Sequence, residues 1–217
     1  MFRSDPRAQE SDDHGHGPLR LVSIFGTRPE AIKMAPVVKA LQEDGRFDSR
    51  ILVTAQHREL LDQVMDHFGL QADIDLDLMR PGQSLSELTA RAVLELDPAL
   101  GQLAPAMVLV HGDTTPTLAA TLAAYYHKVP VAHVEAGLRS HDPYAPFPEE
   151  INRRLTDAVA ALHLAPTERA ATELAREGVD PSSIVITGTT AIDALLWTIA
   201  HAGPLARATA EELVCGW

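Results

Sequence analysis

The chain has 217 residues, of which 46% are hydrophobic and 22% are charged, a composition typical of a globular protein with one large domain. Its 18 basic and 30 acidic side chains give a formal net charge of −12. Such a field repels a phosphate backbone, which argues against general nucleic-acid binding.

The two ends of the chain differ from the middle. Residues 1–18 are polar and acidic, and we expect a disordered tail rather than a signal peptide. The single cysteine, Cys215, allows neither an intramolecular disulfide nor a cysteine metal cluster. Because no apolar run is long enough to cross a bilayer, the sequence predicts a cytoplasmic protein that does not bind membranes.

Apolar strands alternate with helices from residue 19 to about residue 200. Strands are predicted at 19–25, 49–55, 74–78, 106–110, 129–134, 162–165 and 184–187. Helices are predicted at about 29–43, 58–69, 114–128, 149–160 and 167–177, with two further helices that end near residues 103 and 200. Strands that are apolar throughout are typical of a parallel sheet covered on both faces. The sequence therefore predicts a doubly wound, Rossmann-like α/β domain over residues 19–200.

Polar residues follow three of these strands, where ligands bind in a doubly wound sheet. The segments are "FGTRPEAIKMAP", "HGDTTPT" and "HVEAGLRSHDPYAPFPEEINRR". His111 and Asp113 are two residues apart, and so are His133 and Glu135. Side chains two apart along a strand share one face. Each pair is therefore predicted to point towards the same edge of the sheet.

Each of these residues also has a structural explanation. Thr27 and Glu30 match a capping box, with Pro29 in the first turn of the helix. Asp113 suits the N-cap of the next helix, and Glu149 suits a helix N-terminus. A single histidine in such a strand is more often a hydrogen-bonded core residue than a catalyst.

The combination favours an acid/base site beside a bound anion. Arg28 and Lys33 at a strand-to-helix turn suit a phosphate or diphosphate. The carboxylates Asp113, Glu135 and Glu149 are unfavourable beside an anion unless they transfer protons. The turn matches neither a GxGxxG fingerprint nor a Walker loop, so a dinucleotide or ATP is not indicated.

Several long stretches match a known family. They are "FGTRPEAIKMAPVVKAL" (25–41), "VTAQHRELLDQV" (53–64), "VLVHGDTTPTLAA" (108–120), "HVEAGLRS" (133–140), "PFPEEINRRLTD" (146–157) and "TGTTAIDALLW" (187–197). With them the chain resembles the non-hydrolysing bacterial UDP-N-acetylglucosamine 2-epimerases, which interconvert UDP-GlcNAc and UDP-ManNAc.

The resemblance implies the N-terminal half of a two-domain, GT-B-type fold that works without a cofactor or metal and forms a homodimer. The implied reaction eliminates UDP across C1–C2 to 2-acetamidoglucal and adds it back with the opposite C2 configuration. The implied catalytic residues are Asp113, Glu135 and Glu149, and the implied substrate-binding residues are Arg28, Lys33, Arg139, His111 and His133. More weakly, the resemblance places Gln56 and Gln83 at a second, activating UDP-GlcNAc molecule.

The sequence departs from the family in two respects. Family members continue into a second domain that supplies most nucleotide contacts, and residues 201–217 resemble a linker towards that domain. We therefore expect this half to bind UDP-sugars weakly and to turn them over slowly or not at all. Thr189 replaces an asparagine of the usual "TGNT", which leaves fewer hydrogen bonds at that turn.

Four other functions remain open on the sequence alone. Three use the same fold: an inactive fragment that binds nucleotide sugars, a hydrolysing 2-epimerase, and a GT-B glycosyltransferase. The fourth is a metal-dependent hydrolase in which His111 with Asp113 and His133 with Glu135 hold one divalent ion.

Overall fold

One parallel sheet organises the protein in a computed structural model that describes residues 17–54 and 58–201. Its seven strands are β1 (Leu19–Phe25), β2 (Phe47–Val53), β3 (Ile74–Asp75), β4 (Met107–His111), β5 (Val131–Val134), β6 (Leu162–Ala165) and β7 (Ile184–Ile186). Seven helices connect and cover them: α1 (Arg28–Glu43), α2 (Arg58–Phe68), α3 (Leu85–Leu103), α4 (Thr115–Tyr126), α5 (Glu149–Val159), α6 (Glu168–Arg176) and α7 (Thr190–His201).

The strand order is β3-β2-β1-β4-β5-β6-β7, and every neighbouring pair is parallel. The chain begins in the middle of the sheet, proceeds outwards to β3 and then returns to β4 beside β1. This reversal opens a crevice at the carboxyl ends of β1 and β4, where doubly wound proteins bind ligands. The predicted fold class is confirmed.

Two apolar layers enclose the sheet, as the continuous hydrophobic strands predict. Strand β1 shows the alternation, because Leu21 and Phe25 pack on the face covered by α1 whereas Val22 and Ile24 pack on the face covered by α3 and α4. The third strand is shorter than the predicted 74–78. It ends at Asp75, and Asp77 then adopts a left-handed φ of 44°.

The predicted tail and linker, residues 1–18 and 201–217, lie almost entirely outside the described residues, as does Cys215. Across residues 17–54 and 58–201, no helix combines the length and apolarity that crossing a bilayer requires.

Candidate active site

The turn between β1 and α1 is held by Glu30. Thr27 and Glu30 form the predicted capping box, in which the Thr27 hydroxyl accepts from Glu30 N–H and Glu30 Oε2 accepts from Thr27 N–H at 2.8 Å. The other oxygen, Oε1, accepts hydrogen bonds from the hydroxyls of Thr114 and Thr117 at 2.7 and 3.1 Å. Glu30 is therefore a structural residue that ties the N-terminus of α1 to that of α4.

Glu135 follows β5 directly and is paired with Lys33 of α1. Lys33 Nζ lies 2.6 Å from Oε2 and 2.8 Å from Oε1 of Glu135. Burial alone raises the pKa of the Glu135 carboxyl, but His111 and Lys33 outweigh burial and lower the pKa to about 2. Glu135 is therefore ionised at neutral pH.

His111, the last residue of β4, is buried beside this ion pair. Its Nε2 lies 3.3 Å from Glu135 Oε2, outside hydrogen-bonding alignment. Within the described part of the chain, neither ring nitrogen of His111 has a hydrogen-bond partner. A buried imidazole that makes no hydrogen bond is a candidate for ligand contact, and substrate binding by His111 stays a prediction.

Asp113 lies at the neighbouring strand end and does not cap a helix. The N-cap of α4 is Thr114, whose hydroxyl accepts from Thr117 N–H, so the capping explanation for Asp113 is wrong. Asn152 Nδ2 holds the Asp113 carbonyl at 2.9 Å, and Arg153 Nη1 lies 3.6 Å from its Oδ2.

The environment of Asp113 favours its protonated form. Burial is the largest contribution and raises the pKa of the Asp113 carboxyl; Arg153 opposes this effect, and the negative charges of Glu149 and Glu135 add to it. The net result is a pKa above the ordinary value. The pKa values of Asp113 and Glu135 are therefore shifted in opposite directions, although the two residues follow adjacent strands.

The two glutamates that open α5 have different environments. Glu149 is partly exposed and close enough to Asp113 to influence its pKa. Glu150 is fully buried and accepts hydrogen bonds from the backbone of Ser140 and His141 at 3.0 and 3.2 Å. Glu150 anchors the loop after β5, which leaves Glu149 as the member of the pair available for chemistry.

His133 disagrees with its predicted role in substrate binding. The side chain is fully buried, Nδ1 lies 2.6 Å from Asp157 Oδ1, and Nε2 lies 2.7 Å from the carbonyl oxygen of Gly112. Both ring nitrogens are occupied, so neither can bind a ligand. The predicted sharing of one face fails because β5 ends at Val134 and Glu135 adopts a left-handed φ of 67°.

Arg139 also disagrees with its predicted role. Its side chain is 1% exposed, and the guanidinium lies 2.8 Å from Asp157 Oδ2 and 2.7 Å from Glu177 Oε2. Two carboxylates already pair the charge, so Arg139 holds the loop after β5 against α5 and α6 instead of binding a phosphate.

The remaining predicted residues do not join the carboxylates. Arg28 is exposed and lines a cavity of about 500 Å³ between α1, α2 and α7, so it and Lys33 face different surroundings. Gln83 is held by Met79 and Arg91 at 3.0 and 3.3 Å. Gln56 lies outside the described residues.

The arrangement does not support the metal-dependent hydrolase. In the described ranges, no three or more His, Cys, Asp or Glu side chains are placed to hold a metal ion. His133 has no free nitrogen and Glu135 is bound to Lys33, so the two predicted His–carboxylate pairs do not converge on one point.

Sequence reasoning missed the contribution of α5. Asn152, Arg153 and Asp157 are all buried on this helix and all contact residues at the two strand ends or in the turns that follow them. Arg153 and Asp157 are four residues apart and share one helix face. The sequence signal for this role is the presence of polar residues on the face of α5 that packs against the sheet.

Comparison with known proteins identifies the family of this chain. The family model for UDP-N-acetylglucosamine 2-epimerase matches residues 39–213. A UDP-N-acetylglucosamine 2-epimerase of Yersinia pestis is 56% identical over 179 residues, which are 82% of this chain and 48% of that protein. The chain thus spans about half the length of the curated relatives it matches.

Solved structures of the same family also match this chain. The crystal structure of UDP-GlcNAc 2-epimerase from Neisseria meningitidis bound to UDP-GlcNAc matches with a TM-score of 0.84 and 46% identity, over 90% of this chain and 54% of that chain. Acinetobacter baumannii MurG matches at 16% identity with a TM-score of 0.58, over 79% and 45% of the two chains, which shows a common GT-B-type fold alone. The chain belongs to the UDP-N-acetylglucosamine 2-epimerase family.

Proposed function

We propose that this chain supplies the carboxylate side of an active site that epimerises UDP-N-acetylglucosamine at C2. The observation that carries the proposal is the divergence of Asp113 and Glu135, one with a raised pKa and one with a lowered pKa, at adjacent strand ends. Pairs of titratable groups with opposed environments are typical of acid/base sites. The names of the relatives and the UDP-GlcNAc bound to the Neisseria meningitidis structure support the choice of substrate.

The reaction requires a base at C2 and a leaving group at C1. A C2 hydrogen beside an acetamido nitrogen is a very weak acid, so its removal is coupled to departure of UDP. The base takes the proton, the C–H electron pair forms the C1=C2 double bond, and the C1–O pair leaves with UDP. Re-addition of UDP at C1 and protonation of C2 on the opposite face give UDP-ManNAc. These two reaction steps balance in atoms and electrons without an oxidant or a cofactor.

The geometry favours separate roles for the three carboxylates. Asp113 has the environment suited to taking up and returning a proton. Glu135 stays ionised beside Lys33, which suits electrostatic stabilisation of positive charge at C1 as the C1–O bond breaks. Glu149, next to Asp113, is the candidate for proton transfer on the second face of the sugar. We further propose that Lys33 and His111, which lie beside Glu135, contact the sugar phosphate.

Proton NMR of the purified chain with UDP-GlcNAc in deuterated buffer tests the proposal. Loss of the C2 proton signal together with formation of UDP-ManNAc supports the proposal, and Asp113→Asn is the negative control. Since the chain spans about half of its relatives, the assay is repeated with the remaining half of a relative added as a separate polypeptide.

The products distinguish the competing functions. Free ManNAc would indicate a hydrolysing enzyme, and transfer of the sugar to an acceptor would indicate a glycosyltransferase. Absence of C2 exchange in both assays would contradict the proposal. The homodimer expected from the resemblance stays a prediction, which light scattering of the same sample tests.

A further inference from the structure

Asp157 of α5 is a buried carboxylate that the reaction itself does not use. It is 2% exposed, and both of its oxygens are engaged. Oδ1 lies 2.6 Å from His133 Nδ1, whereas Oδ2 accepts from Gly137 N–H at 3.2 Å and lies 2.8 Å from Arg139 Nη2. One carboxylate thus joins β5, the loop after β5 and α5.

Through His133, Asp157 reaches the turn that presents Asp113. His133 Nε2 lies 2.7 Å from the carbonyl oxygen of Gly112, and Gly112 N–H donates to Val134 O at 3.0 Å. Gly112 has a φ of 67°, so the chain reverses sharply between the end of β4 and Asp113. The contact between His133 and the Gly112 carbonyl therefore fixes the peptide that sets the direction of the chain at Asp113.

Through Gly137, the same carboxylate reaches the turn that presents Glu135. Glu135 and Ala136 both donate their N–H groups to Leu164 O, and the next N–H, that of Gly137, donates to Asp157. Glu135 has a φ of 67°, a left-handed conformation that a non-glycine residue keeps only where its surroundings fix it. Asp157 is the side chain that fixes the end of this turn.

The side chain of His133 lies between two hydrogen-bond acceptors. Its Nδ1 faces the Asp157 carboxylate, and its Nε2 faces the Gly112 carbonyl oxygen. Burial raises the pKa of Asp157, but His133 and Arg139 hold that pKa below its ordinary value. Asp157 is therefore a buried carboxylate anion that these two neighbours stabilise.

We propose that Asp157 is a positioning residue for the epimerisation: acting through His133 and Gly137, it sets the relative placement of Asp113 and Glu135. This inference rests on the proposed function. It differs from a purely stabilising role because the two turns that Asp157 holds are the two that carry the reacting carboxylates.

The kinetic test compares Asp157→Asn with Glu177→Gln. The asparagine is isosteric, but it is neutral and cannot accept hydrogen bonds at both positions. Glu177 pairs with the same Arg139 and does not touch His133, so E177Q is the matched control. We expect D157N to lower kcat on the order of 100-fold with little change in KM, because the reacting groups are misplaced and not removed. E177Q should stay close to the unmodified chain. Equal kcat in D157N and the unmodified chain, or equal losses in both variants, would overturn the proposal.

An NMR test on the chain alone does not depend on turnover. Nitrogen-15 spectra should show His133 Nδ1 in a strong hydrogen bond to Asp157, and D157N should weaken this hydrogen bond. Carbon-13 titration should show the raised pKa of Asp113 fall towards its ordinary value in D157N and remain raised in E177Q. A His133 Nδ1 that makes no hydrogen bond in the unmodified chain, or an unchanged Asp113 titration in D157N, overturns the positioning role. If these NMR results hold but no epimerisation occurs, the proposed function fails while the placement of Asp113 by Asp157 stands.

Discussion

Lys33 and Glu135 form an ion pair at the carboxyl edge of the sheet, in which one ammonium group contacts both carboxylate oxygens. They are 102 residues apart in the chain, yet Lys33 Nζ contacts both carboxylate oxygens of Glu135, at 2.8 and 2.6 Å. The pair joins the first turns of α1 to the end of β5 and keeps one carboxylate charged. The neighbouring Asp113, close to Arg153 at 3.6 Å but more strongly affected by burial, has a raised pKa.

Replacing Lys33 by methionine should raise the pKa of Glu135 from its value of about 2, because burial then opposes ionisation with only His111 beside the carboxylate. A depressed pKa stabilises the folded state above the ordinary value of 4.5, and this stabilisation is lost as the pH falls towards 2. The K33M variant should therefore begin to unfold at a higher pH than the unmodified chain during acid titration.

Carbon-13 titration of the glutamate carboxyls and acid unfolding followed by circular dichroism measure these two effects. Lys39→Met is the control, since Lys39 is on the same helix but lies 5.0 Å over the ring of Trp197. An unchanged Glu135 titration in K33M would show that the ion pair does not control this carboxylate.

The sequence predicts the sheet well because buried parallel strands are continuous apolar runs. The strands at 19–25 and 162–165 have the predicted boundaries. The carboxyl-edge rule also brings Asp113 and Glu135 to neighbouring strand ends. Apolar runs are visible in a single sequence, and the carboxyl-edge rule applies to every sheet of this class. Both features can therefore be predicted without a structure.

The sequence does not predict which side chains around the site face a ligand. Period-two alternation holds only inside a strand, and left-handed residues at Gly112 and Glu135 interrupt it where the chemistry begins. For this reason His133 was wrongly expected to share a face with Glu135. The pairing of Arg139 with Asp157 and Glu177 depends on how α5 and α6 pack, which no local pattern encodes.

Glu30→Gln should destabilise the protein more than the equivalent change in another capping box. Glu30 is buried and binds two backbone N–H groups and two threonine hydroxyls. An amide cannot accept all four hydrogen bonds, and we expect a loss of about 2 kcal/mol in the free energy of unfolding. Glu87→Gln, in the exposed box with Ser84, is the matched control and should cost less. Urea unfolding measures both variants, and equal losses would show that Glu30 is only a cap.

Gly137→Ala should be far more damaging than Gly69→Ala. Both glycines have positive φ, 84° and 62°, but a Cβ at Gly137 would lie 2.4 Å from Ala170 O, whereas a Cβ at Gly69 meets nothing within 4 Å. We expect G69A to cost about 1 kcal/mol for its backbone conformation and G137A about 3 kcal/mol once the clash with α6 is added. Thermal unfolding compares the two, and similar losses would show that α6 moves aside easily.

Asp113→Asn should abolish epimerisation without weakening the fold. Loss of a proton-transferring carboxylate lowers the rate by at least about 100-fold. Because the folded-state pKa of Asp113 is raised, the unmodified chain loses stability as the pH rises through that pKa, and asparagine removes this cost. The stability of D113N relative to the unmodified chain should therefore increase from pH 4 to pH 8. Urea unfolding at both pH values measures the difference, and the C2 exchange assay measures activity. A relative stability that falls with pH would mean that the folded state lowers the pKa of Asp113, which would make its carboxylate a weak base.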